Sequence, residues 1–256
     1  MEAAPADIPT HAARISARRM GAQAVVLFDC PDKLNALDAE SWQAIPPLFE
    51  TLAGLEDLRL VILRGAGGRA FVAGADMSDM SDEDGTYESD TAAAFDAIAA
   101  CPLPTLAAIE GVCMGGGLAI ATACDLRLAR DDARFAVPAA RRGIAYPPNA
   151  VRHLRAVAGV AFAREILYLG QSIAAEEAHA RGLVNRLATE ADFDTALDAL
   201  AARIASNAPL SLRAAKYMLD DDPRAAEAMA AAWESDDRRE GLAAFREKRE
   251  PDFKGR

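Results

Sequence analysis

The sequence predicts an α/β fold that ends in a helical region, and three observations predict it. Between Ala12 and Leu128, short β-rich runs alternate with longer stretches of helical spacing. After about Ala150 the composition shifts to Ala, Leu, Arg and Glu at helical spacing. The chain is 256 residues long, 52% hydrophobic and 26% charged, which suffices to bury one large core and is ordinary for a globular protein.

Taken in order, Met1 to Thr10 mixes prolines with acidic residues. Without a basic start and apolar run it fits neither a signal nor a transit peptide, and it reads as a frayed tail over residues 1–10. Ala24 to Phe28, Leu58 to Leu63, Thr105 to Ile109 and Leu126 to Leu128 are expected strands. Asp38 to Leu52 is an expected helix behind an aspartate cap, and Thr91 to Ala100 is a second, with Phe95 and Ile98 three apart. Such alternation implies βαβ crossovers, with a ligand site at the loop ends of a sheet. The later part is broken by Gly159, Gly170, Gly182 and Pro209, and its one further strand run is Leu183 to Leu187. The expected organisation is a core over residues 11–195 and a helical region over 196–256.

A net charge of −11 and a pI near 4.8 argue against nucleic acid, because an acidic surface cannot replace a polyanion's counterions. A small anionic ligand stays compatible with a few placed cations and backbone N–H groups. Cys30, Cys101, Cys113 and Cys124 lack CxxC spacing and lie in or beside apolar stretches, which reads as reduced thiols in a cytoplasmic protein. Apolar runs fall short of the ~20 residues of a membrane span.

Two segments carry the chemistry. Arg69 to Met80, RAFVAGADMSDM, is a small-residue loop that lets a ligand approach the backbone. Ile109 to Asp125, IEGVCMGGGLAIATACD, sets Gly115, Gly116 and Gly117 before an apolar helix. Glycines there expose N–H donors in the field of the helix dipole. Taken alone, such a start is an oxyanion hole, a phosphate cradle or a close packing contact.

With PDKLNALD (Pro31 to Asp38), EEAHARGLVNRL (Glu176 to Leu187) and EGLAAFREKREPDFKG (Glu240 to Gly255), these segments make five ordered matches to one pattern. The chain resembles the crotonase superfamily, the enoyl-CoA hydratase/isomerase family, over nearly its whole length. The resemblance implies a crotonase-like spiral of ββα units with two sheets and a C-terminal helical region that assembles trimers, often paired into hexamers. It implies an acyl-CoA substrate, with coenzyme A part of the thioester and no separate cofactor or metal. It also implies enolate stabilisation by the N–H groups of Ala75 and Gly116. Around CoA it places Lys33, Ala36 and Leu37 near pantetheine and phosphates, and Ala73, Asp76 and Met77 around the adenine. Phe245 and Lys248 match tail positions that approach a neighbouring subunit's nucleotide.

The sequence departs from a hydratase of that family, which uses two glutamates as general acid and base. The matching positions are Ala119 and Ala139, and neither methyl group moves a proton. Tyr146, in RRGIAYPPNAVRHL, stands where the methylmalonyl-CoA decarboxylase branch also has a tyrosine. That branch carries a histidine at the Ala75 position and a glutamate at the Ala119 position, so the likeness is partial. A phenol there would orient a departing carboxylate, protonate carbon or simply shape the acyl pocket. Arg141 and Arg142 are expected to pair with the acidic stretch Asp79, Asp82, Glu83 and Asp84 in preference to a substrate carboxylate. Three readings follow: an enolate-forming enzyme without paired glutamates, such as a malonyl-type decarboxylase; a slow hydratase; and a non-catalytic acyl-CoA-binding subunit.

Overall fold

Along the chain, β1 (Ala6–Ile8), β2 (Ile15–Met20) and β3 (Gln23–Phe28) lead into α1 (Ala39–Ala53). Three ββα units follow: β4 (Leu60–Gly65), β5 (Ala70–Val72) and α2 (Thr86–Ala99); β6 (Thr105–Ile109), β7 (Val112–Met114) and α3 (Gly116–Ala123); β8 (Leu126–Arg130), β9 (Arg134–Ala136) and α4 (Pro148–Leu169). The remainder is β10 (Ile173–Ala174), α5 (Ala175–Ala180), β11 (Arg186–Ala188), α6 (Phe193–Ala205), α7 (Pro209–Leu219), α8 (Ala225–Glu234) and α9 (Asp236–Glu247). These come from a computed structural model that describes residues 5–76 and 86–256. The expectations for Met77 and for Asp79, Asp82, Glu83 and Asp84 fall outside the described residues.

In each unit the first strand joins a seven-stranded sheet of order β1-β2-β3-β4-β6-β8-β11, and the second joins a four-stranded sheet of order β10-β9-β7-β5. The chain therefore climbs both sheets together. β3, β4, β6, β8 and β11 pair in parallel, as do β5, β7 and β9.

The large sheet is buried on both faces. Val61, Leu63, Ala107 and Ile109 face the main core with Trp42, Ile45, Phe49 and Leu52 of α1. Leu60, Ile62, Leu106 and Leu128 face a second core closed by Phe193, Leu197 and Ala201 of α6. Burial on both sides is why β4 and β6 read as continuous apolar runs. α6 covers the outer sheet face, so the boundary expected after residue 195 falls inside a helix that packs on the sheet.

Asp38 caps α1, its side chain accepting from Ser41 N at 3.0 Å. Pro46 and Pro47 sit inside that helix. They remove ladder hydrogen bonds, and the buried face of Trp42, Ile45, Leu48, Phe49 and Leu52 supplies the packing that keeps the helix. Gly159 breaks α4 with φ 72° and ψ 163°, and Gly170 ends it.

Besides the unexpected strands β2, β5, β7 and β9, two stretches differ from the expectation for their regions. Ala6–Ile8, within the expected frayed tail, pairs antiparallel with β2 and buries Ile8. β10, two residues long and antiparallel to β9, adds a strand to the part read as helical. Both are too short for a period-2 pattern to register.

Candidate active site

Three neighbouring parallel strands of the small sheet point the same way, so their C-terminal exits meet. β5 runs into Ala73, Gly74 and Ala75; β7 runs into Gly115 and Gly116; β9 runs into Pro138 and Ala139. All of these line one cavity of about 400 Å³. Ligand sites outside the carboxyl ends of parallel strands follow from this arrangement. Tyr87, Glu88, Thr91 and Phe95 of α2, Arg142, and Ile144 to Pro148 complete the lining.

The backbone of the first loop is held by the segment before α1. Leu37 N donates to Gly74 O at 3.0 Å, and Asp76 N donates to Leu37 O at 2.8 Å. This bridge uses the groups on either side of Ala75 and leaves Ala75 N–H out of the pairing. Gly74 has φ +115°, and a Cβ there would sit 3.2 Å from Met114 O and 3.6 Å from Gly116 N. A glycine is therefore what lets the two loops touch.

Gly116 is the first residue of α3, where the N–H has no acceptor within the helix. Its N-cap, Gly115, brings no side-chain cap, and Gly115 N donates to Ala136 O at 2.9 Å. The positive end of α3 thus faces the cavity beside Ala75. A Cβ at Gly116 would lie 2.9 Å from Cη2 of Trp42, which packs edge-on against Phe95 with ring centroids 5.6 Å apart.

Tyr146 is half-buried at the rim, and its hydroxyl donates to Gly115 O at 2.9 Å. Burial pushes the phenol well above the usual tyrosine range, with the nearby Cys113 adding to the effect, so it is neutral at physiological pH.

Residues 19–256 match the family described as Enoyl-CoA hydratase/isomerase. The chain belongs to the enoyl-CoA hydratase/isomerase family. Among its relatives, the short-chain-enoyl-CoA hydratase of Clostridium acetobutylicum is 32% identical over 251 residues, covering 92% of this chain and 96% of that protein. The human mitochondrial enoyl-CoA hydratase domain-containing protein 2 is 35% identical over 251 residues, covering 90% and 85%. A solved structure of an enoyl-CoA hydratase/carnithine racemase from Magnetospirillum magneticum superposes with a TM-score of 0.90 at 36% identity, covering 96% of this chain and 97% of that one. The fold is the crotonase-type α/β fold.

Within this family member, Ala73, Ala75, Gly116 and Tyr146 lie together at the cavity. Lys33, Ala36 and Leu37 lie on the segment bonded to its first loop. Lys33 Nζ is 2.6 Å from Asp76 Oδ2, yet half the lysine side chain remains exposed. Asp76 also accepts from Arg14 Nη1 at 3.0 Å, and Arg14 reaches Asp38 at 2.8 Å. Phe245 and Lys248, at the end of α9, are exposed and do not line the cavity. Ala139 lines it; Ala119 does not and is fully buried in the core. Arg142 is at the rim. All four cysteines are free, and burial pushes the Cys124 thiol up to about 12, with Asp125 adding to it.

Sequence reasoning missed Arg14, Asn35 and Trp42. Asn35 is buried with φ 56°; its Oδ1 accepts from Cys30 N, and its Nδ2 donates to Ala66 O and Ala70 O. It ties the 30–37 segment to the strand that leads into the site. The only signal for Asn35 was its residue type, one that tolerates left-handed backbone.

Proposed function

We propose that this family member binds an acyl-CoA thioester with its carbonyl oxygen between the N–H groups of Ala75 and Gly116, and stabilises the enolate formed there. The observation that carries the reading is the contact of the two loops at one cavity, with both N–H groups outside the protein's own backbone pairing. Donors pre-aimed at developing charge are worth roughly 3 to 4 kcal/mol each in enzymes where one has been removed.

The reaction we propose is an enolate step without paired glutamates. Support comes from Ala119, sealed in the core, and Ala139 at the cavity wall. Loss of CO2 from a malonyl-type thioester fits this lining: the breaking C–C bond leaves its electron pair on the enolate, and no base is consumed. Crotonyl-CoA hydration and malonyl-type CoA decarboxylation assayed side by side test the proposal. Decarboxylation exceeding hydration by about 100-fold or more is the expected result. Rapid hydration defeats it, and thioester binding without turnover of any of a broad panel favours the non-catalytic subunit.

The half-exposed Lys33 and the backbone of Ala36, Leu37, Ala73 and Asp76 are proposed to hold CoA, with Phe245 and Lys248 reaching a neighbouring subunit's nucleotide. Exposed Met229 and Trp233 on α8 and Leu242 and Phe245 on α9 support a homotrimer or hexamer, which sedimentation would resolve. The free thiols support a cytoplasmic setting.

A further inference from the structure

Each N–H assigned to the thioester belongs to a planar peptide group whose carbonyl is the preceding residue's, so whatever holds that oxygen also aims the N–H. The Gly74 oxygen, on the Ala75 peptide, is held by the Leu37 backbone at 3.0 Å. The Gly115 oxygen, on the Gly116 peptide, accepts two hydrogen bonds: from Ala119 N at 3.1 Å and from the Tyr146 hydroxyl at 2.9 Å. Two donors use both lone pairs of that carbonyl. They draw electron density from the peptide and leave its N–H a stronger donor.

We infer that Tyr146 is a positioning residue, whose hydroxyl fixes and polarises the Gly115–Gly116 peptide so that Gly116 N–H can grip the thioester oxygen. The inference rests on the enolate-stabilising reading above. A neutral phenol has one proton, and here it lies in the bond to Gly115 O, turned away from proton transfer to substrate carbon. The ring is placed by rigid neighbours. Pro147 restricts the Tyr146 backbone to extended conformations, and Pro148 starts α4 with a preset φ. Asn149 then ties α4 to α2, donating to Ala92 O at 2.8 Å and Asp96 at 3.0 Å.

The test is isotope-edited infrared spectroscopy of butyryl-CoA carrying 13C at the thioester carbonyl, a saturated probe that cannot be hydrated. In the unmodified protein the bound carbonyl band shifts to lower wavenumber than in free butyryl-CoA. Tyr146→Phe loses part of that shift, while its Kd for butyryl-CoA rises by no more than about fivefold, the loss of one ordinary hydrogen bond. Replacement of Tyr146 by 3-fluorotyrosine, a more acidic phenol, enlarges the shift and keeps the test open should Tyr146→Phe not fold. An unchanged band in both variants overturns the role given to Tyr146 and leaves the enolate reading standing. No shift in the unmodified protein with butyryl-CoA bound overturns both.

Discussion

Lys33 Nζ lies 2.6 Å from Asp76 Oδ2, joining two segments 43 residues apart beside the loop that carries Ala75. Arg14 shares the same oxygen at 3.0 Å, and the Asp76 side chain is only 10% exposed. One carboxylate thus gathers the β2 approach, the Lys33 turn and the loop after Ala75. Asp76→Ala is expected to cost about 2 kcal/mol, less than for a fully buried pair because Lys33 is half in water and Arg14 keeps Asp38. Urea unfolding measures this; an unchanged midpoint would show the cluster to be a surface ornament.

Gly117 sets how closely α3 approaches β5. A Cβ there would fall 2.0 Å from Val72 O, a backbone atom that cannot swing aside. Gly117→Ala therefore pushes the start of α3 off the strand that leads to Ala75. The expected loss is about 3 kcal/mol of stability, and a variant that still folds should bind butyryl-CoA more weakly by calorimetry. Wild-type stability and affinity together would refute the close approach.

How much of this was legible from sequence depends on burial and length. β4 and β6 were readable because both sheet faces are covered, which leaves unbroken apolar runs such as Leu60 to Leu63. β5, β7 and β9 are three residues each, too short for a period, although they deliver all three loops to the site. The glycine triplet and AGAD loop announced themselves through residue type. Arg14 and Trp42 did not, because their importance lies in meeting residues far along the chain, such as Asp76 and Gly116. The sequence offers Tyr146 as a phenol for chemistry or for shaping the acyl pocket, whereas its hydroxyl's partner is a backbone oxygen, and a carbonyl has no sequence signature.

Glu240 gives a pH-dependent prediction. Its hydrogen bonds from Arg249 and from Asp252 N hold the carboxyl at about 2, below the ordinary glutamate value of about 4.3. A depressed folded-state value means that the stabilisation is complete above that ordinary value and disappears as pH falls toward about 2. The C-terminal tail that Glu240 and Asp237 anchor should loosen across this window. An NMR titration of the Glu240 carboxyl should give a midpoint near 2, moving up in Arg249→Ala; a midpoint near 4 in the unmodified chain contradicts the pairing.

Ala119 and Ala139, which the family resemblance sets where a hydratase has its glutamates, should respond differently to substitution. Ala139 lines the cavity and precedes a short turn, so a longer side chain has open space ahead of it. Ala119 is 0% exposed inside α3, where Thr122 already back-bonds to its carbonyl at 3.1 Å. A carboxyl there must either displace packed neighbours or sit unpaired in apolar surroundings, which forces it to stay protonated. Ala139→Glu is expected to fold with a cost under about 1 kcal/mol and to raise crotonyl-CoA hydration, since it adds one of the two acid/base groups. Ala119→Glu is expected to lower unfolding free energy by about 3 kcal/mol or more without a matching gain in hydration. Comparing urea midpoints and hydration rates of the two variants decides between them. If Ala119→Glu proved as stable as the parent and the better hydratase, the sealed position of that helix face would be wrong, and with it the argument that this chain works without paired glutamates.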